Sequence, residues 1–116
     1  QKRQEAADFI WKVWNIPVKK LVLENPIGQI NTYLPEMPKS QIIQPWMFGH
    51  MEQKATCLWT RNLPPLVETN NVYEEMMKLP KSERERIHYM SPGPNRQRDR
   101  SRTYSGIAKA MAEQWT

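Results

Sequence analysis

A chain of 116 residues with a formal net charge of +5 and a pI of about 9.5 holds one modest core at most. Its basic balance favours an acidic partner such as nucleic acid. The single cysteine, Cys57, excludes an intramolecular disulfide and fits a reducing cytosol, and no apolar run is long enough to span a membrane. Hydrophobic residues make up 39%, mean hydropathy is −0.79, and ten prolines against four glycines predict many stiff connections. Five tryptophans nevertheless argue for a folded domain, because disordered chains are poor in aromatics. The polar N-terminus, residues 1–8, is no signal peptide. The absence of an initiator Met is what a trimmed or partial chain would show.

Residues 2–15 read as a helix with one apolar face of Ala6, Phe9, Ile10, Val13 and Trp14, stopped by Pro17. Residues 19–23 read as a short buried strand followed by Glu24-Asn25-Pro26. Helix, turn and strand together suggest half of a parallel βαβ unit, in which functional residues collect past the strand C-termini. Residues 27–40, punctuated by Gly28, Pro35 and Pro38, read as a loop. Strands are expected at 41–48 and 55–60, antiparallel because the turn between them is short. Residues 61–70 are extended, and 71–79 form a short helix. Ser82 and Glu85 make a capping box for a helix over 83–90. Residues 91–102 carry Arg96, Arg98, Arg100 and Arg102 and are the least foldable stretch. A last helix over 104–115 stacks Ile107, Met111 and Trp115.

Few residues invite chemistry. A carboxylate leaving a buried strand, stiffened by proline, suits hydrogen bonding to the edge of a base; taken alone, Glu24-Asn25-Pro26 reads more readily as a strand-end turn with a solvated glutamate. Cys57, between Thr56 and Leu58, reads as a small buried apolar residue rather than a nucleophile. His50 and His88 with one cysteine form no zinc spacing, and no metal site is expected. His50, after Gly49, reads as a plain turn histidine rather than a ligand contact. Four arginines alternating along an extended chain would lie on one side and suit phosphate contacts, or form a merely solvated loop. Trp11, Trp14, Trp46, Trp59 and Trp115 are expected in the core rather than stacked on bases.

The order of landmarks is a strand with Glu24-Asn25-Pro26, a loop, a strand, Phe48-Gly49 and a turn with Gln53-Lys54. A strand with Leu58-Trp59, a basic stretch and a helix from Gly106-Ile107-Ala108 follow. This order resembles the second half of a cytosine-5 DNA methyltransferase, particularly the compact forms carried by phages and prophages. The resemblance implies that Glu24 and Asn25 hold a flipped cytosine and help to protonate its ring nitrogen. It implies substrate contacts from Pro26, Gln53, Arg96, Arg98, Arg100 and Arg102, and packing of Gly106 and Ala108 against the cofactor pocket. Ala55 and Cys57 stand where the family has two arginines, and Ile107 where it has asparagine. The family's glycine loop and Pro-Cys nucleophile are not among these residues, so S-adenosylmethionine is expected only if a complementary half supplies its site, and none is expected for this chain alone.

The expected fold is therefore α/β: the later strands of a Rossmann-like methyltransferase sheet with an antiparallel strand pair and flanking helices. Residues 1–60 would be the core, 61–101 a short basic recognition region and 102–116 a C-terminal helix packing on the core. The implied function is that of a methyltransferase subunit or part, inactive alone, with DNA and a complementary half or a second copy as partners. Cytoplasmic location in a bacterial host is expected. A non-catalytic phage protein that binds DNA or blocks a host partner is the alternative. A small basic domain with tryptophan-rich helix faces as a protein interface is the third.

Overall fold

The computed structural model describes residues 2–26, 28 and 30–116, without the side chains of residues 2, 3 and 26. They form two compact units interleaved along the chain: Gln1–Ile43 with Thr56–Pro65, and Gln44–Ala55 with Leu66–Thr116.

The first unit places helix α1 (Lys2–Trp14) and a short helix α2 (Ile30–Tyr33) on an antiparallel sheet of β1 (Leu21–Pro26), β2 (Gln41–Ile43) and β3 (Thr56–Arg61). The sheet order is β1-β3-β2, with β3 antiparallel to both neighbours, so β1 and β2 run in the same direction. The antiparallel pairing expected for β2 and β3 is present, but the connection between them, residues 44–55, is longer than a short turn and contains a 3-10 turn. The expected parallel βαβ half-unit does not form: β1 pairs antiparallel with β3 instead. Mixed α/β architecture is what the described residues show.

Buried Ala7, Leu34, Met37, Cys57 and Trp59 make this unit's core, with Ile10, Trp14, Leu23, Ile30 and Tyr33 packed on it. The side of α1 that packs is therefore Ala7, Ile10 and Trp14, spaced i, i+3, i+7. Phe9, two residues from Ala7 and about 200° round the helix, is 67% exposed. Trp11 is also exposed, against the expectation that it is core. Apolar residues cover more of α1 than one neighbour can bury, so periodicity alone could not choose the packed side. The expected loop over 27–40 contains α2 because Ile30, Tyr33, Leu34 and Met37 share one helical face. β2 stops at Ile43, short of the expected residue 48. Pro45 has no N–H for a ladder and begins a 3-10 turn over Pro45–Met47.

Arg61 secures the end of α1. Its Nη1 donates to the Trp14 carbonyl at 3.0 Å, and its Nη2 to Ile16 and Val18 at 2.6 and 2.8 Å. A cation at a helix C-terminus also meets the negative end of the helix dipole. The next residue, Asn62 (φ +58°), donates through Nδ2 to the Lys19 carbonyl at 2.6 Å. Arg61→Ala removes three charge-assisted bonds and is expected to destabilise this unit by about 2 kcal/mol. Urea unfolding checks this, and an unchanged midpoint would refute it.

The second unit is built of short helices: α3 (Tyr73–Met77), α4 (Lys81–Arg84), α5 (Arg86–Tyr89), α6 (Pro94–Ser101) and α7 (Ser105–Gln114). Pro45, Phe48, Leu66, Met76, Ile87, Ile107 and Ala110 are its buried residues. Gln114 closes α7 onto the extended stretch by a reciprocal pair: Val67 N–H donates to its Oε1 and its Nε2 donates to the Val67 carbonyl, both at 2.8 Å. The single helix expected over 83–90 is two, broken at Glu85 (φ −109°, ψ 45°). Pro80 rather than Ser82 occupies the N-cap, its carbonyl accepting the N–H groups of Glu83 and Arg84. Residues 94–101, expected to be unstructured, form α6. Pro94 at its first turn and Gly93 at φ +145° set its start. Among the described residues no helix is long and apolar enough to cross a membrane.

Candidate functional site

Glu24, Asn25 and Pro26 lie within β1 rather than beyond it. Pairing with β3 continues through Glu24↔Leu58, Asn25↔Cys57 and Pro26↔Thr56, and proline at the end of an edge strand sacrifices no interior ladder bond. Directly opposed residues share a sheet face and successive residues alternate. Glu24 is therefore on the face of Leu58 and is exposed, whereas Asn25 is on the face of Cys57 and Trp59. Strand geometry separates the two side chains that a common base-binding role would bring together. The Pro26 ring lies outside the described side chains. Cys57 is 7% exposed and packs in the core, as a small apolar residue would.

The remaining candidates belong to the second unit. Gln53 sits in the loop after Gly49 (φ +92°), its backbone N–H bonded to the Arg84 carbonyl at 2.6 Å. The arginines ride on α6 and its end, which corrects the extended arrangement. Residues two apart are about 200° apart on a helix, so Arg96 and Arg100 share one side and Arg98 takes another. Arg102, at the C-cap, is extended (φ −77°, ψ 133°).

Arg102 lines a recess of about 350 Å³ with His50, Glu52, Arg86, Asp99, Thr103, Tyr104 and Ser105. Polar contacts hold it together. Glu52 accepts from the Tyr104 hydroxyl at 2.7 Å and from Arg86 Nε at 3.2 Å, while Arg86 Nη1 donates to Asp99 Oδ2 at 3.0 Å. His50 Nε2 accepts the Gly106 backbone N–H at 2.9 Å, which puts the ring proton of the bonded tautomer on Nδ1. The His50 ring meets Tyr104 edge to face at 5.1 Å. Lys54 donates to the Arg100 carbonyl and lies 5.9 Å from the Tyr104 ring centroid. Four residues distant in sequence are thereby fixed around the end of the arginine helix.

These contacts shift protonation. The Arg86 hydrogen bond, chiefly, holds the Asp99 carboxyl below its ordinary range, helped by the nearby Arg102 and Arg98 charges against partial desolvation. Arg86 is raised in turn, first by Asp99. Burial, then the bond to Glu52, raises the Tyr104 hydroxyl well above a free phenol. It stays protonated and serves as a donor, not as a base.

A lowered folded-state carboxyl pKa contributes stability above its unfolded value, about 3.9, and that contribution is lost as pH falls through the folded value. Wild-type protein is therefore expected to exceed Asp99→Asn in stability at pH 7, with the gap closing in strong acid. Urea midpoints at both pH values test this; a gap that does not narrow would contradict it.

Gly106 and Ala108 both lie on α7. A Cβ on Gly106 would sit 2.2 Å from the Phe48 carbonyl oxygen, so the residue is glycine because the helix approaches that backbone closely. Ala108 is exposed. His88 stacks edge to face on Tyr89 at 5.4 Å. Among the described residues no group of His, Cys, Asp or Glu is arranged to hold a metal ion. The reading of residues in sequence missed Glu52, Arg86, Asp99 and Tyr104. One local signal pointed to them: Asp99 is the lone acid in the arginine run.

Comparison with family models, curated proteins and solved structures finds no match to this chain.

Proposed function

We propose that this chain is the DNA-facing second half of a cytosine-5 DNA methyltransferase-like protein, completed by a part that supplies the cofactor loop and the Pro-Cys nucleophile. One observation carries the proposal. The Glu-Asn-Pro segment runs along an edge strand, β1, of a sheet whose central strand is antiparallel to two strands that are parallel to each other. Such an edge is where a larger, mostly parallel sheet would continue, and the completing half would pair there.

Glu24, the exposed member of the pair, then meets the polar edge of an extruded cytosine and shares a proton with its ring nitrogen. Asn25, opposite buried Cys57, positions the strand. In the second unit the arginines of α6 take phosphates, with Arg102 held beside the braced recess. S-adenosylmethionine, bound by the completing half, would donate the methyl group. Gly106 does not form a cradle for it, since the Phe48 carbonyl already fills the space beside its Cα.

The test is to combine the chain with a partner half carrying the glycine loop and the Pro-Cys element, and to measure methyl transfer to cytosine in duplex DNA. Transfer is expected only with both halves together. A stable complex that transfers nothing would overturn the proposal.

A second reading is a non-catalytic phage protein that binds DNA or blocks a host partner. Ala55 and buried Cys57, in the places of the family's two arginines, favour it. Tight DNA binding by the isolated chain, indifferent to Glu24→Gln, would select it.

A further inference from the structure

We propose that a recess beside Trp46, in the second unit, is a binding site for an organic cation of the guanidinium or alkylammonium class, independent of the DNA-facing reading. The recess measures about 500 Å³ and is lined by Trp46, Asn71, Tyr73, Glu74 and Glu75. The Trp46 and Tyr73 rings meet edge to face, 4.8 Å between centroids at 65°, so they wall a corner instead of stacking flat.

Backbone bonds fix that corner. The Val72 N–H donates to the Trp46 carbonyl at 2.9 Å, tying the start of α3 to the 3-10 turn that carries Trp46. The Tyr73 N–H donates to Asn71 Oδ1, also at 2.9 Å. The next two residues are the exposed carboxylates Glu74 and Glu75, and neither forms a salt bridge among the described residues.

Two uncompensated carboxylates beside indole and phenol rings select one kind of ligand. The ring faces attract a cation, and the carboxylates hydrogen-bond one with several N–H donors. Phosphate and other anions are repelled. A hard divalent metal would want a cage of oxygens, and among the described residues no group of three or more His, Cys, Asp or Glu is placed to hold one. A planar guanidinium both lies on a ring face and forks onto a carboxylate, so an arginine-like group fits best.

The experiment titrates the intact chain with N-acetyl-arginine amide and follows the Trp46 indole N–H by NMR, assigned with Trp46→Phe. Its uncharged isostere, N-acetyl-citrulline amide, is the control. The arginine derivative should shift the Trp46 signal saturably and the citrulline derivative should not. Glu74→Gln with Glu75→Gln should weaken binding by about fivefold or more. Both glutamates are exposed, so the double variant should keep the wild-type spectrum elsewhere. No saturable shift, an equal shift with citrulline, or unchanged affinity in the double variant would each overturn the site. A short arginine-containing peptide in parallel separates the sources. Binding at least tenfold tighter than the amide marks a polypeptide partner, and equal binding marks a small free cation.

Discussion

Gly106→Ala should destabilise the second unit by about 2–4 kcal/mol, through overpacking and loss of a part-buried hydrogen bond. Adding a methyl group to a helix ordinarily stabilises it, by about 1 kcal/mol for glycine to alanine, so the sign of this effect is diagnostic. Here the methyl would sit 2.2 Å from the Phe48 carbonyl oxygen and 2.8 Å from His50 Nε2. The first contact is with backbone, which cannot rotate aside. The second would displace the ring that accepts the Gly106 N–H. Relief requires α7 to move off the 45–50 segment, carrying buried Ile107 and Ala110 with it. Chemical denaturation of Gly106→Ala beside Ser105→Ala, an exposed change on the same turn, measures the difference. Equal or greater stability in Gly106→Ala would contradict the close packing of this helix.

On the proposed function, Glu24→Gln should reduce methyl transfer by the reconstituted protein about 10²–10⁴-fold, the usual contribution of a positioned proton donor or acceptor. Glutamine keeps the shape and can still hydrogen-bond but cannot exchange a proton with the cytosine ring. Because Glu24 is exposed in β1, the fold should be spared. Asn25 provides the contrast. It lies on the face of Cys57 and Trp59, so Asn25→Ala should lower the stability of the first unit, with turnover falling only as the folded fraction falls. Single-turnover methylation and urea unfolding of both variants separate the effects. Normal turnover in Glu24→Gln would remove Glu24 from the chemistry.

Local signals in the sequence were faithful where one force dominated. Pro17 lies just past the end of α1, and the i, i+4 repeat of Ile107 and Met111 located α7. They failed where tertiary pairing decided. Glu24-Asn25-Pro26 looks like a turn until β3 pairs along its whole length. The arginine run looks unfoldable because its repulsion is visible and its compensation is not. Asp99 bonds Arg86, thirteen residues away, and Lys54 reaches the Arg100 carbonyl. The recess at the end of α6 escaped notice for the same reason: the bond from Tyr104 to Glu52 spans 52 residues, beyond any local spacing rule. Gly106 was read through a family resemblance as a cofactor neighbour, and the Phe48 backbone supplies a packing reason for it.

The central claim, that this chain faces nucleic acid, is tested most directly by its affinity for duplex DNA across a salt series. Binding should weaken with salt by close to one unit of log–log slope per phosphate contacted, and Arg96→Ala, Arg98→Ala and Arg100→Ala together should flatten that slope by about two units or more. Binding that ignores salt, or a slope the triple variant leaves unchanged, would place the arginine helix outside any DNA interface.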